Sequence, residues 1–118
     1  MNKIVVILED EETVANVLDM LAKRYGFDSK KYCCVEDLIN DIHVLDNATL
    51  FITDFNLNDS TVIPVLKEMK TRNLNVYTML NSGNPNAVKD IENAGLLEFI
   101  HEISDKTINF RSLFERFA

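Results

Sequence analysis

Five short apolar runs punctuate the chain, and between them apolar residues recur every three or four positions. The runs cover residues 4–8, 29–34, 50–53, 76–80 and 98–101, each of strand length. After the first, Val14, Val17, Leu18 and Leu21 share one face of a helix. The same spacing recurs in Leu38, Ile39 and Ile42, in Ile63, Leu66 and Met69, and in Val88, Ile91 and Ala94. Phe110, Leu113, Phe114 and Phe117 mark a last helix. Gly26 and Gly95 stand where the first and fourth helices should end. Gly83 and Pro85 mark a loop before the fourth helix. Pro64 would break a helix interior, so it predicts a first turn beginning near Ser60 or Thr61.

Five strand–helix repeats predict an α/β protein with a parallel sheet covered on both faces. The first run, Ile-Val-Val-Ile-Leu, is continuously apolar, as a strand buried on both sides should be. Right-handed crossovers then favour a flavodoxin-like, doubly wound five-stranded sheet, (βα)5, in the order 2-1-3-4-5. Residues 1–118 read as one domain, with no linker, repeat or low-complexity segment.

Composition narrows the function. The net charge is −7, from twelve basic and nineteen acidic residues, which argues against non-specific nucleic-acid binding. No apolar run is long enough to span a bilayer, and the N-terminus lacks a signal-peptide pattern, so a cytoplasmic protein without a membrane contact is expected. Cys33 and Cys34 are adjacent. On a strand they would point to opposite faces, so they read as small apolar strand residues rather than a bridge.

In doubly wound sheets, ligands bind beyond the carboxyl ends of the strands. The first strand runs into Glu9 and Asp10, and the third into Asp54. If these strands are neighbours, three carboxylates converge, which is strongly unfavourable without a cation. Hard oxygen ligands suit Mg²⁺. An aspartate beside such an ion can act as a nucleophile toward a phosphoryl group. Glu11 and Glu12 read instead as acids of a helix's first turn, where they favour the dipole.

These residues carry a resemblance. "IVVILEDEE", "LFITDFNLND" and "AGLLEFI" resemble the response-regulator receiver domain of two-component signalling, over essentially the whole chain. The resemblance implies that Asp54 is the phosphoacceptor, with a histidine kinase or histidine phosphotransfer protein as donor. Glu9 and Asp10 would help to hold Mg²⁺, and Asn56 would add its backbone carbonyl to the metal and its side chain near the phosphoryl group. The helix 4, strand 5 and helix 5 face, with Val88, Lys89, Phe99 and Lys106 on or near it, would dock a downstream protein or a second copy.

Departures from the family pattern accompany the likeness. Where the family has a Ser or Thr at the end of strand four, counting back from Gly95 gives Leu80, and a shifted alignment gives Ser82. Where it has a lysine after strand five, counting forward gives Glu102, and a one-residue slip gives His101. The Pro and Gly of the loop after strand three are replaced by Asn58 and Val62. Phe99 stands at the family's aromatic position and also reads as plain core. Three functions therefore compete. The first is a receiver switched at Asp54, with no enzymatic activity beyond chemistry on itself. The second is a pseudo-receiver that signals without phosphate. The third is an aspartyl-phosphate hydrolase of the haloacid-dehalogenase type, disfavoured because Asn56 stands where that class has a second aspartate. No output domain lies in these 118 residues, which fits either a stand-alone receiver or a piece of a longer regulator.

Overall fold

The apolar N-terminal run forms a central strand of a sheet whose two faces are both covered. The structure, a computed structural model, describes residues 3–104 and 110–118. Its elements are β1 (Lys3–Leu8), α1 (Glu12–Arg24), β2 (Phe27–Tyr32), α2 (Val35–Asn40), β3 (Leu50–Thr53), α3 (Ile63–Arg72), β4 (Tyr77–Asn81), α4 (Ala87–Asn93), β5 (Glu102–Ser104) and α5 (Phe110–Phe117). Short 3-10 turns occupy Ile42–Asn47 and Leu97–Phe99. The five strands are parallel in the order β2-β1-β3-β4-β5, the flavodoxin-like layout that the strand–helix alternation predicts.

Strand side chains alternate between two cores. Val6, Leu8 and Phe51 pack with residues of α2, α3 and α4 on one face, including Leu38, Leu66 and Ile91. Val5, Ile7, Leu50, Ile52 and Met79 pack with Leu18 and Ala22 of α1 and Leu113 and Phe114 of α5 on the other. Each such buried aliphatic or aromatic side chain contributes about 1.5–3 kcal/mol relative to leaving it in water. This two-sided burial is why β1 and β3 carry no polar alternation.

Several boundaries depart from the sequence pattern, each for a packing reason. The fifth strand is not residues 98–101 but Glu102–Ser104. Leu96, Leu97, Phe99 and Ile100 are apolar because, after Gly95 (φ 74°), they fold back onto the α2–α4 core. β5 is a three-residue edge strand whose Ile103 is exposed, so it carries no buried signature. β2 ends at Tyr32, which leaves Cys33 and Cys34 in a bend rather than on a strand. α3 begins at Ile63, later than Ser60 or Thr61, and takes Pro64 in its first turn. On α1 the buried residues are Ala15, Leu18 and Ala22, whereas Val17 is 53% exposed.

Candidate functional site

The carboxyl edge of β1 and β3 is built by register. Leu8 pairs with Thr53, and the Asp54 N–H donates to the Leu8 carbonyl at 3.1 Å. The ladder thus carries Asp54 alongside the point where β1 gives way to Glu9 and Asp10. Oxygen atoms of Glu9, Asp10 and Asp54 lie within 4.8 Å of one another. Glu9 and Asp54 are buried, and Asp10 is half-buried.

Local hydrogen bonds orient these carboxyl groups. The Glu11 N–H donates to Glu9 Oε2 at 3.2 Å, and the Phe55 N–H donates to Asp54 Oδ1 at 2.7 Å. Glu9 is anchored through its own N–H to the Tyr32 carbonyl at 3.1 Å. Glu11 stands at the N-cap of α1 and Glu12 in its first turn, both exposed. A cavity of about 480 Å³ opens beside the centre, lined by Glu9, Asp10, Glu12, Ala15, Asn16, Lys31, Tyr32, Cys33 and Asn58.

The donor set fits a hard divalent cation. It consists of carboxylate oxygens alone, and octahedral Mg²⁺ with bonds of about 2.1 Å needs oxygen–oxygen edges of roughly 3 Å. A cation bound there would draw the three carboxylates together.

No family model and no curated protein sequence matches the chain. Solved structures do. The receiver domain of the Francisella response regulator 1452 superposes with a TM-score of 0.79 at 19% identity, covering 98% of this chain and 93% of that one. A CheY-like response-regulator receiver domain from Methylobacillus flagellatus gives 0.78 at 18%, with 99% and 97% covered. The response regulator TrrA from Thermotoga maritima, solved in complex with Mg²⁺-BeF, gives 0.77 at 17%, with 98% and 96% covered. The fold is that of a response-regulator receiver domain.

Within the receiver fold, β4 and β5 correct the sequence alignment. Thr53 pairs with Leu80, so Asn81 is the β4 residue level with Asp54. Leu80 is 1% exposed and belongs to the α2–α4 core, and it has no polar atom to offer. Ser82 lies one residue further on, where its hydroxyl accepts the Asn84 N–H at 3.1 Å and so shapes the turn. Asn81 was hidden in the sequence among Ser82 and Asn84, and only the register separates them. It is 3% exposed, and its Oδ1 has no hydrogen-bond partner among the described residues.

Glu102 does not lie level with Asp54 either. It pairs with Met79, two positions before Asn81, whereas Ser104 pairs with Asn81 itself. Arg116 Nη2 donates to Glu102 Oε1 at 2.6 Å and Oε2 at 2.9 Å, and the Tyr77 hydroxyl donates to Oε1 at 2.8 Å. Burial first, and then the Glu102 carboxylate, push the Tyr77 hydroxyl above its ordinary value. Glu102 thus belongs to a β4–β5–α5 cluster, and the count from Gly95 carries no information on strand register. His101 stands one residue earlier still, where its Nδ1 accepts the Thr78 N–H at 3.0 Å. Lys106 lies outside the described residues.

Asn56 is exposed, and its Oδ1 accepts a hydrogen bond from Asn84 Nδ2 at 2.9 Å. This ties the loop after β3 to the loop after β4, a contact between two segments that flank the centre. Asn58 lines the acidic cavity, and Val62 is buried and precedes α3. Phe99 is half-buried and packs on the α2–α4 core. Val88 is half-buried and Lys89 exposed. No helix among the described residues is long and apolar enough to cross a membrane.

Proposed function

We propose that this chain works as a receiver that accepts a phosphoryl group on Asp54. The observation that carries the reading is the convergence of Glu9, Asp10 and Asp54 at the carboxyl edge of a receiver-fold sheet. The donor is a phosphohistidine on a histidine kinase or phosphotransfer protein. Asp54 attacks phosphorus as the phosphorus–nitrogen bond breaks, a phosphorus–oxygen bond forms on its carboxylate, and the leaving imidazole keeps its electron pair and takes a proton from solvent. The domain acts on itself and turns over no separate substrate.

Glu9, Asp10 and Asp54, with the Asn56 backbone carbonyl, would hold Mg²⁺. Bound there, the ion supplies charge neutralisation for the transferring oxygens. A receiver-fold neighbour solved with Mg²⁺-BeF supports a cation and a compact anion as ligands of such a chain. Asn81 would stand in for the usual hydroxyl, its Nδ2 donating to a phosphoryl oxygen. Its Oδ1, an acceptor without a partner among the described residues, would take a hydrogen bond from a water brought in with the ion.

Partner contacts follow from the few large apolar residues that remain exposed. Val17 and Met20, 53% and 64% exposed on α1, flank a groove with Leu21, Arg24 and Arg111 and suit the approach of a phosphodonor protein. Ile103 on β5 is 53% exposed and would anchor a downstream partner or a second copy at the α4–β5–α5 face.

Exposure to a small phosphodonor with Mg²⁺, read by intact mass on wild type and Asp54→Asn, tests the reading. A phosphate-sized gain in the wild type alone is expected. No gain in folded protein that binds Mg²⁺ would leave the pseudo-receiver as the answer.

A further inference from the structure

Cys33 and Cys34 sit in the bend between β2 and α2, and this changes what adjacent cysteines can do. On a strand their side chains would diverge. Here both Sγ atoms and a carboxylate oxygen of Asp37 lie within 4.8 Å of one another. The convergence has a local cause. Cys34 is extended (φ −146°, ψ 160°) at the N-cap of α2, and Asp37 is the third residue of that helix, so both residues belong to one turn. Cys33, one residue earlier, is exposed.

The backbone of this bend is held from outside. Asp59, in the loop after β3, accepts the Val35 N–H at Oδ1 and the Glu36 N–H at Oδ2, both at 2.9 Å. The three ligating side chains therefore project from a segment already fixed against the rest of the fold. Cys33 also lines the cavity shared with Glu9 and Asp10.

We propose that Cys33, Cys34 and Asp37 bind a thiophilic divalent cation of the zinc class, at a site separate from the carboxylate centre. Two thiolates and one carboxylate form a donor set that zinc-like ions favour and Mg²⁺ does not. Three protein ligands leave the fourth tetrahedral position to water. Zn–S bonds of about 2.3 Å imply sulfur–sulfur edges of roughly 3.8 Å, a spacing compatible with atoms that lie within 4.8 Å of one another. Binding releases the two thiol protons to solvent. The two centres are then sorted by softness, with hard ions held by the carboxylates and soft ions by the thiols.

Cadmium titration of the reduced, full chain in excess Mg²⁺ tests this, read by the thiolate-to-metal charge-transfer band in the ultraviolet. The expected result is a band that saturates at one ion per chain and is unaffected by Mg²⁺. Cys33→Ser and Cys34→Ser should each abolish it, and Asp37→Asn should weaken cadmium binding by roughly tenfold, with melting curves showing each variant folded. Absence of the band, saturation at one ion per two chains, or wild-type affinity in Asp37→Asn would each overturn the proposal.

Discussion

The carboxyl edges of β1 and β3 differ in kind from those of β4 and β5, although all four belong to one sheet. Beyond β1 and β3 stand Glu9, Asp10 and Asp54, three acids gathered within 4.8 Å. At the level of Asp54, β4 and β5 instead carry neutral Asn81 and Ser104. The one acid of β5, Glu102, has its charge met by Arg116. Acids are gathered on one side of the edge, and on the other the residues level with Asp54 are neutral. The proposed receiver role draws on the acidic side, and the neutral side asks what β4 and β5 add to it.

Asp10→Asn strikes the acidic side and should have the largest effect. Mg²⁺ affinity, measured by calorimetry, should fall by about tenfold or more, as one of few anionic ligands is lost. The same variant should melt higher than wild type in chelator, since a repulsive carboxylate is gone. Unchanged affinity would mean that the three acids do not act as one site.

On the neutral side, Asn81→Leu removes the buried amide whose Oδ1 is unpartnered among the described residues. It should stabilise the unmodified protein by roughly 1 kcal/mol, about 4 °C in melting temperature. It should also blunt the further stabilisation that BeF and Mg²⁺ give to the wild type. A destabilised variant with an intact BeF response would assign Asn81 to packing alone.

Glu102→Lys asks whether β5 contributes charge to the centre. With Glu102 bound to Arg116 and Tyr77, the substitution should leave labelling of Asp54 unchanged. It should lower stability, because it removes the bonds from Arg116 and Tyr77 and sets a second cation beside Arg116. A gain in BeF affinity would place Glu102 at the centre after all and erase the contrast between the two edges.

The smallest effect concerns Asp59, which joins the loop after β3 to α2. The Val35 N–H and then the Glu36 N–H hold its carboxyl below the ordinary carboxylate range. Its contribution to stability is present above that ordinary range and is lost as pH falls through the lowered value. The advantage of wild type over Asp59→Asn should therefore shrink on titration from neutral to acid, as denaturant unfolding at several pH values would show. A difference that stays constant with pH would rule out the carboxylate as its source.

What could be read from the chain tracks how much of each element is buried. β1 and β3 are legible because both faces are covered, and Glu9, Asp10 and Asp54 because acids break directly from buried strands. α5 is legible for the same reason, through Leu113 and Phe114. β5 is not, since its exposed Ile103 and polar neighbours resemble a loop while the apolar residues before it serve the core from a turn. The bend at Cys33 and Cys34 was likewise obscured, because a pair of cysteines following β2 has the same apolar character on or off a strand.

By itself the sequence determined the α/β alternation, the doubly covered sheet and the three acids at its edge, since these depend on local periodicity and on polarity at strand ends. Tertiary structure decided that Asn81, not Leu80 or Ser82, stands level with Asp54, that Glu102 serves Arg116, and that two cysteines meet Asp37. Interstrand register and the direction of a bend are set by packing between distant segments, and a count along the chain carries no measure of them.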